Sequence, residues 1–372
     1  MKTFGYKLLC TIFLYSTVTY CTQVLAAQCT INTLNDSIPL TPANISVGAD
    51  MPNGTVIYRL NSQPEVEQVL RCTANNGEKY NLTSYLTLRN EPHPLSNWSG
   101  NPFPGEVYET NIPGIGVAVW YSFRATTLSN PEILRNYNFE STINLVRPLN
   151  DFDISLVKTG PVTPGTITGA DIPLVRLEFR SPDGTVTNLP ITMRDVTFTG
   201  SLNITVPSCQ TPNVVVNMGE HEIRTDFNGP GSVTNWVNAN FSLTNCPVFY
   251  GYYNDSAFPS HLNDSNTVIV PDSIPNLLSI TVAPFTPVID ADNGIFAIDT
   301  SSSDSGSGVG IQLGYDTGSI NPVKLNSPFT YTTNSNGDPT IILPFRARYI
   351  QTERLLTPGR ANGRVSVTIN YN

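Results

Sequence analysis

Apolar and polar residues alternate at the C-terminal end of the chain. In Arg364-Val-Ser-Val-Thr-Ile-Asn-Tyr-Asn372, Val365, Val367, Ile369 and Tyr371 occupy every second position, with Arg364, Ser366, Thr368 and Asn370 between them. A period of two places the apolar side chains on one face, as in a strand with one side on a core. Leu343-Pro-Phe-Arg-Ala-Arg-Tyr-Ile-Gln-Thr352 alternates in the same way, and Thr357-Pro-Gly359 and Ala361-Asn-Gly363 supply turn residues between the two runs. The sequence therefore predicts a hairpin closing a β domain. Further strands are predicted upstream at 55–60, 66–72, 85–88, 115–123, 153–157, 175–179 and 196–204. Turn signals such as Pro52-Asn-Gly54, Asn75-Asn-Gly77 and Pro182-Asp-Gly184 separate them. No stretch carries a convincing helical period, so the expected class is all-β.

The N-terminus departs from this pattern. Lys2 and Lys7 precede an apolar run from Leu8 to Tyr20 and then Val24-Leu-Ala-Ala27. This predicts a secretory signal peptide over 1–27, because the run is shorter than the ~20 apolar residues of a spanning helix. Export would remove Cys10 and Cys21 and oxidise the remaining Cys29, Cys72, Cys209 and Cys246. Four cysteines allow three pairings, and their grouping favours Cys29 with Cys72 and Cys209 with Cys246. No Cys-x-x-Cys is present and His93, His221 and His261 are scattered, so neither a metal nor another cofactor is expected.

Without the leader, 345 of the 372 residues remain, too many for one ordinary sandwich core. The expected division is 28–206 and 207–372. The boundary falls at Thr205-Val-Pro-Ser-Cys209, where an alternating run stops at a proline and a new cysteine group begins. So short a connection implies two domains end to end with limited swing. Losing Lys2 and Lys7 moves the formal net charge from −9 to −11, which argues against nucleic acid or an anionic membrane as partner.

Four segments of the second half, in order, carry a resemblance. They are Cys209-Gln-Thr-Pro-Asn-Val-Val-Val-Asn-Met-Gly219, with a strand after its cysteine; Asn240-Phe-Ser-Leu-Thr-Asn-Cys246; Ser307-Gly-Val-Gly-Ile-Gln-Leu313; and the closing region with Phe345, Ala347, Tyr349, Gly359 and the penultimate Tyr371. Together they resemble the pilin subunits of bacterial chaperone–usher fimbriae. The segments 53–58, 108–117 and 154–162 are more loosely similar to the N-terminal domains of two-domain fimbrial adhesins. The resemblance implies two immunoglobulin-like β-sandwiches, the C-terminal one lacking its last strand. A periplasmic chaperone would first supply that strand, and after passage through the outer-membrane usher the next subunit would replace it by donor-strand complementation. Val365, Val367, Ile369 and Tyr371 would line the accepting edge. An interior subunit also needs an apolar extension ahead of its first domain, whereas only Ala27 and Gln28 precede Cys29, so the expectation is a fimbrial tip at the cell surface.

Candidate receptor residues lie in Glu91-Pro-His-Pro-Leu-Ser-Asn-Trp-Ser-Gly-Asn-Pro-Phe-Pro-Gly105, a proline-rich loop. Trp98 offers a flat ring for a sugar, and Asn97, Asn101 and His93 offer hydrogen-bonding groups. A bland alternative is that Trp98 and Phe103 pin the loop, while Trp120, in an apolar strand, is expected in the core. His221-Glu222, Asp290–Gly294 and the serine-rich 301–308 match no zinc, calcium or nucleophile motif. The expected function is adhesion, with the first domain binding a surface receptor, a glycan. The alternative is a structural tip or initiator subunit that binds no receptor. A secreted hydrolase ranks last, because no acid pair or nucleophile–base motif stands out.

Overall fold

A computed structural model describes residues 26–63, 67–262 and 267–372. Except for its last two residues, the expected leader lies outside the described residues. Ala27 is buried, and its carbonyl accepts the Thr187 N–H at 3.1 Å. Regular structure is almost entirely β, with one short α-helix, Ile223–Asp226, and one 3-10 turn among the described residues. No helix among these residues is long and apolar enough to cross a membrane.

The first sandwich packs two main sheets. One runs Glu132–Glu140, Lys79–Leu88, Val175–Arg180, Ile191–Thr205, Gly165–Thr168, with Leu34–Leu40 and Asn44–Ser46 added parallel to Ile191–Thr205. The other centres on Val56–Ser62, Phe152–Lys158 and Ile115–Tyr121. A small sheet pairs Gln28–Thr30 and Ile143–Val146 with Val69–Thr73. Each run predicted in this half overlaps a strand, although Val66 lies outside the described residues and the strands there begin or end inside the predicted bounds, as in Val69–Thr73 for 66–72 and Ile115–Tyr121 for 115–123. Leu34–Leu40 and Glu132–Glu140 escape sequence reading because the first contains Pro39 and the second is polar and mostly exposed. Gly200 has φ +74°, which bends Ile191–Thr205 where it exchanges Val175–Arg180 for Gly165–Thr168 as neighbour.

The second sandwich sets Phe345–Gln351, Val309–Asp316 and Ile295–Ala297 opposite Pro328–Thr332, Leu277–Pro284 and Val365–Tyr371, over a core that includes Leu243, Leu278, Ile280, Phe296 and Leu343. The expected closing hairpin is not formed. Phe345–Gln351 pairs with Val309–Asp316, and Val365–Tyr371 pairs with Leu277–Pro284 in the other sheet. The connection 352–364 is too long for a tight turn. It packs on 304–308 instead, with Gly306 N–H donating to Arg360 O and Arg360 N–H to Asp304 O. The strand expected after Cys209 is also absent: residues 211–222 pair with no strand, and Val215 is 96% exposed.

Both disulfides join the expected partners. Cys29–Cys72 links directly opposed strand residues, and Cys209–Cys246 ties the start of the second half to the end of Phe241–Thr244. Closing loops of 43 and 37 residues restricts the unfolded chain by roughly 3 to 4 kcal/mol each in the chain-entropy picture.

One segment crosses between the halves. Ser260–His261 adds parallel to Val56–Ser62, Tyr253 belongs to the first core, and Tyr252 and Val268 pack against it. Ser46 N–H donates to Gly251 O at 2.8 Å, and Arg59 pairs with Asp255 at 3.0 Å. Under this strand Arg194 is wholly buried. It pairs with Asp36 and donates to Asn150 O at 3.0 Å and Ser62 Oγ at 2.7 Å, with His261 Nδ1 at 3.5 Å. Burial lowers the pKa of the Arg194 guanidinium and the Asp36 carboxylate opposes the shift.

Candidate functional site

The ladder at the C-terminus determines which backbone groups remain available. Leu277 and Asn372 exchange N–H···O bonds, each 2.8 Å, and the register runs Leu278↔Tyr371 to Pro284↔Val365. In an antiparallel pair hydrogen-bonded and non-bonded positions alternate. Ser366, Thr368 and Asn370 therefore turn their N–H and C=O toward Leu277–Pro284, and Val365, Val367, Ile369 and Tyr371 turn theirs away. Tyr371 finds partners in the first sandwich: its N–H donates to Asp50 Oδ2 and its carbonyl accepts the Asp50 N–H, both at 2.9 Å. Backbone passes so close that a Cβ on Gly48 would lie 2.1 Å from Tyr371 O, which explains glycine there. Among the described residues, the main-chain groups of Val365, Val367 and Ile369 have no strand partner.

The side chains of these residues sit over a core that is open on their side. Val365, Val367, Ile369 and Tyr371 all pack on the second core yet remain only half-buried. The unpaired segment 211–222 flanks them. At one end Cys209 N–H donates to the Tyr371 hydroxyl at 3.0 Å. At the other, His221 meets the edge of Tyr349, whose hydroxyl donates to Ala361 O at 2.8 Å. Between these anchors Val214 and Val215 are exposed and Met218 is half-buried on the core. The arrangement is a free strand edge about 23 Å long, from the rise per residue, beside apolar side chains only half-buried on the second core. Such an edge can accept one further strand.

In the first sandwich the 91–105 loop is internally braced. Ser96 N–H donates to Val107 O, Gly105 N–H to Trp98 O, and Trp98 Nε1–H to Pro102 O at 2.8 Å. The Trp98 ring is half-buried against a small cluster containing Phe103, Val107, Trp120 and Val157. Phe103 takes φ +59° and sets its ring 5.4 Å from that of Trp120. Trp120 is buried, as expected, and donates to Ser155 Oγ at 3.0 Å. His93 Nε2 lies 2.9 Å from Asp171 Oδ1. Burial pushes the Asp171 carboxyl up, but bonds from His93 and from the Thr168 N–H and hydroxyl together hold it below the usual range. Asn97 and Asn101 are exposed. Of the four candidates, two thus present free polar ends, and His93 and Trp98 are engaged within the fold.

Sequence reading missed a set of charges on the outer face of Lys79–Leu88 and Val175–Arg180. Alternation puts Arg176, Glu178 and Arg180 on one face, and the pairings Arg176↔Thr87 and Glu178↔Tyr85 bring them beside Arg89. Only the strand register places them together. Among the described residues Ser62 Oγ and His261 Nδ1 lie 3.3 Å apart, and both side chains are fully buried where the crossing strand meets Val56–Ser62.

No family model matches the chain, and no curated protein matches it. Solved structures do. The CupB6 tip adhesin from Pseudomonas aeruginosa is 14% identical over 92% of this chain and 94% of its own, with a TM-score of 0.35. The receptor binding domain of the plasmid-born adhesin MrkD1P of Klebsiella pneumoniae is 17% identical over 50% of this chain and 99% of its own, with a TM-score of 0.30. A chaperone–tip adhesin complex of CFA/I fimbriae is 11% identical over 91% of this chain and 96% of that one, with a TM-score of 0.26.

Proposed function

We propose that this chain is a tip adhesin of a chaperone–usher fimbria, in which the first sandwich binds a glycan receptor and the second joins the fibre by accepting a strand. The observation that carries this reading is the free edge of Val365–Tyr371, whose apolar side chains are only half-buried on the second core. A donor strand adding there gains main-chain bonds to Val365, Val367 and Ile369 and places alternate apolar side chains over the second core. In the periplasm the chaperone supplies that strand, and after the usher the next subunit's extension takes its place. The exposed Asn97 and Asn101, on the loop that Trp98 and His93 brace, form the proposed receptor surface.

The test is periplasmic expression of the full chain with and without its chaperone. The expected result is aggregation or degradation alone, and a soluble one-to-one complex with the chaperone. A full chain that stays soluble alone, unfolds cooperatively and ignores the chaperone overturns the proposal.

A further inference from the structure

A shallow depression of about 300 Å³ on the first sandwich is lined by Thr87, Arg89, Leu128, Arg176, Glu178 and Arg180, among others. Arg176 holds Asp195 with two bonds, Nε to Oδ1 at 2.7 Å and Nη2 to Oδ2 at 2.8 Å. Arg89 reaches the same carboxylate through Nη1 alone, at 3.4 Å. Arg180 donates through Nε to Glu178 at 2.7 Å and lies 4.6 Å from the centre of the Tyr85 ring. Three guanidiniums thus face two carboxylates within the depression, with Glu91 at its border, on a chain of formal charge −9.

Both carboxylates are more deeply placed than the arginines they hold. Side-chain exposure is 16% for Asp195 and 9% for Glu178, against 40% for both Arg89 and Arg180. The acids orient the guanidiniums from below, and the outward N–H groups of Arg89 and Arg180 have no protein partner among the described residues. Exposed Leu128 supplies an apolar wall. The depression also abuts the base of the 91–105 loop: Tyr108 donates its hydroxyl proton to Glu91 Oε1 at 3.1 Å and accepts the Leu128 N–H at 2.9 Å.

We propose that this depression binds an acidic sugar residue of the receptor glycan, with Arg89 and Arg180 gripping its carboxylate or sulfate and Leu128 meeting an apolar face of the ring. Planar forks of N–H donors match the oxygens of such groups. The volume is at the small end of ligand sites and suits about one monosaccharide. This inference rests on the adhesin reading, since it specifies the ligand of the receptor domain.

The experiment uses the full chain in complex with its chaperone, on an array of uronate-bearing and sulfate-bearing oligosaccharides and their uncharged counterparts. Binding is expected for acidic members only, and weaker as salt is raised. Arg89→Gln should reduce it about tenfold or more with unchanged Tm; Arg180→Gln should reduce it similarly but also lower Tm, because Glu178 loses its partner, and Arg180→Lys, which keeps the charge but not the fork, should reduce binding less. Whether uronates or sulfates bind identifies the anion. Capture of uncharged glycans alone, or acidic binding that survives both Gln variants and is indifferent to salt, overturns this site and leaves the adhesin reading standing. Failure to bind any member, together with failure of fibres carrying the chain to attach to receptor-bearing surfaces, overturns both.

Discussion

Trp98 shows how far a single side chain can be read from its neighbours in sequence. A large aromatic in a loop with Pro92, Pro94, Pro102 and Pro104 suggests a free ring, because no strand period forces it inward. Its environment is set by atoms that sequence does not align: the Pro102 carbonyl that takes its N–H, and Phe103, turned inward at positive φ onto Trp120. Trp98→Ala removes that brace and is expected to destabilise the first sandwich by about 2 kcal/mol, roughly half of a fully buried truncation. This corresponds to a fall in Tm of about 4 to 8 °C in a domain of this size, read by thermal unfolding of the chaperone complex. Asn97→Ala and Asn101→Ala should leave Tm unchanged. An unmoved Tm in Trp98→Ala would show that the ring braces nothing. Arg89, Arg176 and Arg180 were equally invisible as a group, since each is one polar position in an alternating run until register sets two strands side by side.

At the scale of elements, alternation was legible and pairing was not. The face assignment of Val365–Tyr371 follows from its period, and half-buried Val367, Ile369 and Tyr371 against exposed Thr368 and Asn370 agree with it, while Ser366 at the start of the strand is also half-buried. That Phe345–Gln351 lies in a different sheet could not be read, because a long connection rich in turn residues fits a wide crossing as well as a hairpin. The absent strand at 214–216 has a related cause. Its valines favour β structure, but a strand needs a neighbour, and the position beside it is the one left open. The terminal strand yields a two-sided test. Val367→Asp or Ile369→Asp puts a charge where the added strand would bury it unpaired, at a cost of several kcal/mol, and should abolish chaperone capture in a pull-down. Thr368→Asp, on the outer face and exposed, should reduce capture little. Equal losses from both faces would contradict the assigned alternation.

For the whole molecule, the sequence suggests two bodies divided near Thr205, and the strand Ile191–Thr205 ends at that residue. It gave no sign that a segment of the second half completes a sheet of the first. Ser260–His261 is only two residues long, and its partner edge on Val56–Ser62 is distant in sequence. Residues 26–206 expressed alone would expose that edge and deprive Arg194 and Ser62 of their His261 neighbour. We expect this fragment to melt at least 5 °C below the first-sandwich transition of the chaperone complex, and a fragment with equal Tm would show that the crossing strand adds no stability.

The Asp50–Tyr371 contact has a mechanical consequence. If a neighbouring subunit is zipped along Val365–Tyr371, tension on a bound bacterium enters the molecule through that strand, pulling its ladder in shear. Its far end is held by both main-chain groups of Tyr371 against Asp50, with Gly48 packed alongside. Load could then pass from that neighbour to the first sandwich across this clasp and the crossing segment, in parallel with the short connection at 206–208. The joint would then resist as a seam rather than as a tether.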